Sequence, residues 1–257
     1  MDFDPLFLTV ARATIAGVLA LMILMVSKTA RPQKTDRVSL LVVAGGVVVG
    51  FPLLTALALE HISSARSIVF IGLLPLATAI FGMLRGGERP RGIFWVFSIL
   101  GSLLVAGFAA SGSDAGSLHG DLYMLGAIVV CGLGYAEGGK LSRHMGGWQV
   151  ICWALVISLV PMAILSAVTM PDSAAGIGFR AWIGLGYVSV FSMLIGFFFW
   201  YRGLAIGGIA AVGQLQLLQP FFGLMLASLI LAEPVGWSMI VVTVGVVACV
   251  AGAKKFA

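Results

Sequence analysis

The chain has 257 residues, 60% of them hydrophobic and only 10% charged, with a net charge of +5; soluble domains carry roughly 25% charged residues. So little polar material cannot clothe a water-facing domain, which excludes a soluble enzyme, and the basic excess falls in short segments beside apolar runs, which argues against nucleic acid as a partner. The three cysteines, Cys131, Cys152 and Cys249, lie inside apolar runs without metal-ligand spacing, so neither a disulfide framework nor a metal site is expected and they read as packing residues.

A hydrocarbon layer of ~30 Å takes ~20 helical residues to cross. Uncharged stretches of that length recur: 22 residues between Arg37 and Glu60, 22 between Arg91 and Asp114, 27 between His144 and Asp172, 21 between Arg180 and Arg202, and 20 between Glu233 and Lys254. Taken in order, the apolar runs predict nine membrane-spanning helices, at about 6 to 26, 38 to 59, 62 to 84, 92 to 110, 121 to 140, 148 to 169, 181 to 202, 209 to 231 and 235 to 253. Their apolarity extends all round rather than along one stripe, as for helices whose surroundings are lipid and other helices. The fold class read from this pattern is an all-α polytopic membrane protein.

Helices of alternating direction put alternate loops on alternate sides. One set of loops holds Lys28, Arg31, Lys34, Arg37, Arg85, Arg89, Arg91, Lys140, Arg143, Arg202, Lys254 and Lys255, twelve of the fifteen Lys and Arg residues; the other holds Arg180 and most of the acidic ones. Positive loops stay inside, so the C-terminus is expected in the cytoplasm and the N-terminus outside. The opening MDFDP has neither a signal sequence nor a basic flank.

The chain also repeats itself. Pro75 and Glu88 are thirteen residues apart, as are Pro220 and Glu233, at an offset of 145, in the segments LLPLATAIFGMLRGGE and LQPFFGLMLASLILAE. The loop charges place Glu88 inside and Glu233 outside, so the copies run in opposite directions through the membrane. Inverted repeats of this kind belong to secondary transporters, in which one half rocks against the other around a central site. The halves are residues 1–112, with four helices, and 121–254, with five. The helix at 121 to 140 lacks a partner; its counterpart, completing a 5+5 pattern, is expected upstream of Met1, and the alternative is a true nine-helix variant.

The run WYRGLAIGGIAAVGQLQLLQPFFGLMLASLILAEP from Trp200 to Pro234, its weaker counterpart from Thr55 to Pro90, and GYAEGGKLSRHMGGWQVICWAL from Gly134 to Leu155 resemble the EamA-type transporters of the drug/metabolite transporter superfamily. The resemblance covers essentially the whole chain. It implies ten helices in two inverted five-helix repeats, and export or uptake of small metabolites such as amino acids. A multi-pass protein of the bacterial cell inner membrane is expected, exporting a small polar molecule by alternating access without a cofactor. Its partners are a small-molecule substrate and the lipid bilayer; a homodimer is one compatible assembly. The alternative is a non-transporting partner or sensor subunit built on the same fold. An enzyme is not expected, because His61, His119 and His144 fall in or near loops and no HExxH, paired intramembrane aspartates or Ser-Lys constellation appears.

Helical spacing nominates the pathway. Ser67, Ile71, Pro75, Thr78 and Gly82 share one helix face; the 145 offset carries them onto Val212, Gln216, Pro220, Gly223 and Ala227. Pro75 and Pro220 free backbone carbonyls at mid-membrane, tolerable only against protein or a water-filled cavity, and read as kinks or hinges. Gln214, Gln216 and Gln219 sit in one apolar helix, where an amide needs a partner, and Gln216 and Gln219 share the face of Pro220, so they are candidates to bond a polar substrate. Arg12 and Arg66 lie one to two turns into their helices and are expected to snorkel outward; the functional alternative is that one attracts a carboxylate or phosphate on the substrate. Glu137 is expected to pair with Lys140, three residues on; the sharper reading makes it a proton-coupling carboxylate. Tyr187 and Ser192 are weaker candidate lining residues. Trp200 and Tyr201, next to Arg202, read as an interfacial belt, and the pairs Gly46 with Gly50, Gly134 with Gly138 and Gly203 with Gly207 as sites of close helix contact.

Overall fold

The computed structural model describes residues 3–110, 117–171, 177–219, 221–222, 225 and 237–257. Among these residues the chain is all-α. Helix α1 (Pro5–Val26) opens on Asp4, whose Oδ1 accepts from the Leu6 and Phe7 amides at 2.8 and 3.1 Å, with Pro5 in the first turn where its missing N–H costs nothing. It is followed by α2 (Lys34–Leu59), α3 (Ser64–Ile71), α4 (Leu74–Gly86), α5 (Gly92–Ala110), α6 (Leu118–Met145), α7 (Gly147–Val168), α8 (Phe179–Gly207), α9 (Ile209–Leu218) and α10 (Trp237–Phe256). α1, α2, α6, α7 and α8 are each long and apolar enough to cross a membrane. α6, with 28 residues, reaches ~42 Å and carries Lys140 and Arg143 to the basic end of the bundle.

Four predicted helices are not uniform α-helix. The one expected at 62 to 84 is interrupted: a turn at Gly72 and Leu73 separates α3 from α4. Pro75 therefore stands in the first turn of α4, not in mid-helix as the sequence suggests, because there its ring displaces no hydrogen bond. α9 begins as α-helix at Ile209–Gly213 and tightens to a 3-10 helix over Gln214–Leu218, just before Pro220, a residue outside those described. α2 and α8 each contain a π-helical stretch, Ala44–Gly50 and Val188–Ile195. Each ends on an i to i−5 bond, from the Phe51 amide to the Gly46 carbonyl and from the Gly196 amide to the Phe191 carbonyl. An offset of 145 residues carries Phe51 onto Gly196 and Gly46 onto Phe191. Such bulges are rare and usually sit at functional places, so two at matching positions bear on function.

The helices so matched also lie against each other: α1 packs on α7, and α5 on α10. α6 packs against α2, α4, α7 and α8. A Cβ at Gly46 would stand 2.3 Å from the Val130 carbonyl oxygen of α6, and one at Gly138 would stand within 2.8 Å of the Tyr201 ring and hydroxyl of α8. Gly46 thus lets the α2 backbone close on that of α6, and Gly138 leaves space for a side chain of α8, close contacts of the kind expected for these glycines. Tyr201 is fully buried there instead of standing in an interfacial belt. Missing side chains on α6 make the room for its ring.

Candidate functional site

α1, α2, α6, α8 and α9 surround a cavity of about 310 Å³ lined by Arg12, Val47, Phe51, Pro52, Tyr135, Ser192, Met193, Gly196, Phe197, Trp200, Gln216 and Gln219. The two π-helical stretches and the residues just beyond them form facing walls. Under the 145 offset Val47 falls on Ser192, Phe51 on Gly196 and Pro52 on Phe197, so three matched pairs line one space. A π-bulge inserts one residue without breaking the helix and re-aims the side chains after it; here those side chains face the cavity. Gln216 and Gln219 lie seven and ten residues beyond Ile209, ~10–15 Å from that end of the bundle at 1.5 Å per residue, and Arg12 lies ~10 Å along α1 from the other. The cavity is thus near the middle of a ~30 Å layer.

Its chemistry is mixed. Tyr135 packs edge-on to Trp200, with ring centroids 5.5 Å apart, and its side chain is set beside Gln216 and Cys131. Arg12 is the single charged residue in the lining; its Nε is buried with no hydrogen-bond partner, and so is the Gln216 Oε1. One donor and one acceptor on lining residues are thus left without a protein partner among the described residues.

The basic end is closed below the cavity by Tyr201, Leu204 and Ile209, all fully buried, and by ion pairs between segments distant in sequence. α4 ends on Gly87, whose φ of 71° is easy only for glycine, and the Glu88 amide turns back to the Gly82 carbonyl at 3.3 Å. That turn aims the Glu88 carboxylate at the start of α9, where Gly208 (φ 88°) offers no side chain to cap the helix. The Ile209 amide donates to Glu88 Oε1 and the Ala210 amide to Oε2, both at 2.7 Å, and Arg143 pairs with Glu88 at 2.7 Å while donating to the Gly86 carbonyl at 3.0 Å. Free N–H groups and the positive end of the helix dipole make this a favourable seat for a carboxylate. Beside it Arg85 of α4 pairs with Glu137 of α6, and His144 lies 3.2 Å from Asp36.

The structure thus brings Arg12, Ser192, Gln216 and Gln219 together and places the other sequence candidates elsewhere. Arg66 lies outside the cavity lining; its side chain, 28% exposed, pairs at 2.7 Å with Asp121 in the first turn of α6. Glu137 pairs with Arg85, not Lys140, because α6 turns Glu137 into the interior and leaves Lys140 exposed. Thr78 is buried, its hydroxyl donating to the Leu74 carbonyl at 2.9 Å, and Ser67 is buried outside the lining. Tyr187 is 61% exposed on the outside of the bundle, stacked on Phe191 at 5.2 Å. Pro75 holds the start of α4, with its carbonyl 3.5 Å from the amide nitrogen of the buried Gln214; the hinge role expected for Pro220 lies outside the described residues. The sequence does not nominate Tyr135 or Phe197 as lining residues, and it puts Trp200 in an interfacial belt first. Applying the 145 offset to α2 and α8 as well as to the proline helices would have exposed the two walls.

A bundle of membrane-crossing helices around a mid-depth polar cavity, closed at one end, has the build of a membrane transport protein. The chain belongs to the EamA-like transporter family, whose model matches residues 1–109 and 118–253. It is 67% identical over 256 residues to the "uncharacterized transporter YdeK" of Bacillus subtilis (strain 168), covering 100% of this chain and 89% of that protein. An "uncharacterized transporter" of Synechocystis (sll0355) is 26% identical over 254 residues, covering 90% of this chain and 76% of that one. A solved crystal structure superposes with a TM-score of 0.80 at 18% identity, over 98% of this chain and 89% of the other, a likeness of fold.

Proposed function

We propose that this chain is a secondary transporter of the bacterial plasma membrane that exports small polar metabolites, amino acids or related compounds, by alternating access, with its C-terminus and basic loops in the cytoplasm. Residues 1–112 and 121–254 act as two halves of opposite orientation, and the cavity between them is the substrate site. The observation that carries this reading is the lining itself: Val47 with Ser192, Phe51 with Gly196 and Pro52 with Phe197 are matched positions of the two halves facing one space. A site shared by inverted halves can face either side when they rock. In the described conformation the Glu88 and Tyr201 layer closes the basic end, leaving the cavity on the opposite side of that barrier.

Gln216 and Gln219 supply neutral hydrogen-bonding groups that hold a polar solute in place of its water. Metabolite profiling of cells with and without the gene identifies the solute, and counterflow in proteoliposomes then measures it. Replacing both glutamines by leucine is expected to lower the flux ~100-fold or more, since a site left without its polar partners rejects a polar ligand by several kcal/mol, while yield and monodispersity are kept. Wild-type flux in that variant removes the glutamines from the site; absence of any flux from wild-type protein points to the sensor or partner subunit instead.

A further inference from the structure

We infer that the solute held in this cavity is a small organic anion, with its carboxylate or an equivalent oxyanion on Arg12 and an apolar or aromatic body against Phe51, Phe197 and Trp200. This rests on the cavity being the substrate site and adds the charge class of what enters it.

Arg12 has no ion partner and no hydrogen bond among the described residues: the ion pairs there engage Arg66, Arg85, Arg143 and His144, and the Arg12 Nε is buried without an acceptor. An intramembrane arginine is expensive and almost always paired, or turned to a water-filled cavity. Arg12 is of the second kind, in a lining that contains no carboxylate. The space therefore carries an uncompensated positive charge, close to walls of low dielectric that strengthen its field. An anion offsets it; a cation is repelled by it, and the ammonium of a zwitterion finds only neutral acceptors. A guanidinium presents a planar fork of donors that matches a carboxylate better than a point charge does. The same lining is rich in aromatic rings: Tyr135, Phe197 and Trp200 form a contiguous set, with centroid separations of 6.2 Å and 5.5 Å from Tyr135. Gln216, whose Oε1 has no protein partner, adds a neutral polar side chain to the same lining.

Three probes of one shape and different charge test this: phenylacetate, phenylacetamide and phenethylamine, titrated by calorimetry against the protein in phosphatidylcholine nanodiscs. Phenylacetate is expected to bind ~10-fold or more tightly than the amide, one well-placed ionic contact, and the amine not at all. Arg12→Gln is expected to erase the preference of acid over amide, and Arg12→Lys to keep part of it. The probe series on unmodified protein needs no variant to fold, and each variant is read only as the ratio of acid to amide affinity. Equal binding of acid and amide, no binding of phenylacetate, or an undiminished preference in Arg12→Gln overturns the proposal. So does loss of phenylacetate binding when the disc is made with anionic phosphatidylglycerol, which would assign Arg12 to a lipid head group. Because binding is measured without flux, anion selectivity in a protein that moves no solute would defeat the transport reading alone, and flux of neutral or cationic solutes without anion selectivity would defeat this proposal alone.

Discussion

Replacing Arg85 by glutamine is expected to destabilise the bundle by ~3 kcal/mol, near the low end for a broken buried pair because the arginine itself is half exposed. The carboxylate it leaves behind is what makes the effect large. The Glu137 side chain has no exposure, Arg85 is its ion partner, and its second oxygen has no hydrogen bond. Removing the guanidinium strands a carboxylate inside α6, and burying an unpaired charge is among the largest penalties a single substitution can incur. The pair also joins α4 to α6, so the penalty falls on helix association. Adding Glu137→Gln in the same chain removes the stranded charge and is expected to restore most of the loss. Thermal unfolding in detergent of the wild type, both singles and the double closes a mutant cycle. Simple additivity of the two singles is inconsistent with the pair; so is an Arg85→Gln protein as stable as wild type.

Glu88→Ala is expected to unlatch the basic end. Glu88 receives two backbone amides of α9 and the Arg143 guanidinium, each at 2.7 Å; hydrogen bonds to a charged group contribute ~1.5–3 kcal/mol each, less here where Arg143 is 40% exposed to water. Losing even ~1.4 kcal/mol of this from the closed arrangement raises the open population about 10-fold. A reporter is available in Ala210, 1% exposed at the start of α9. With Cys131, Cys152 and Cys249 replaced by alanine and Ala210 by cysteine, labelling by a water-soluble maleimide applied from the basic side should accelerate ~10-fold or more in the Glu88→Ala background. Glu88→Asp, one methylene shorter but still charged, should fall between. Unchanged protection of Ala210→Cys means that the carboxylate is not what holds this end closed.

Much of this was legible in the residues. Uncharged runs of spanning length mark the helices because lipid offers no partner for a charge, and the offset of 145 is visible from Pro75, Pro220, Glu88 and Glu233 alone. Gln216 and Gln219 stand out because an amide is conspicuous in an apolar helix. What the sequence hides is direction around the helix axis. Glu137 and Lys140 are three residues apart and should meet on a regular helix, yet the pairing found is with Arg85, 52 residues away, because tertiary burial of Glu137 outweighs a local surface pair. Tyr187 and Ser192 fall in α8 on either side of the start of its π-helical stretch. Regular 3.6-residue spacing does not apply across that irregularity, which leaves Ser192 on the cavity and Tyr187 on the outside. Trp200 and Tyr201 sit beside Arg202, where aromatics commonly form a belt; Gly138 of α6, which makes room for the buried Tyr201 ring, is distant in sequence.

A solute path between the two halves is tested most directly by thiol access at one matched pair of lining positions. In the background without native cysteines, Val47→Cys and Ser192→Cys are each expected to react with a small charged thiosulfonate reagent from water, and reaction at either is expected to block counterflow of the transported solute, which should also protect both from the reagent. Failure of the reagent to reach either thiol, or full flux after complete labelling of both, is incompatible with a path through this cavity.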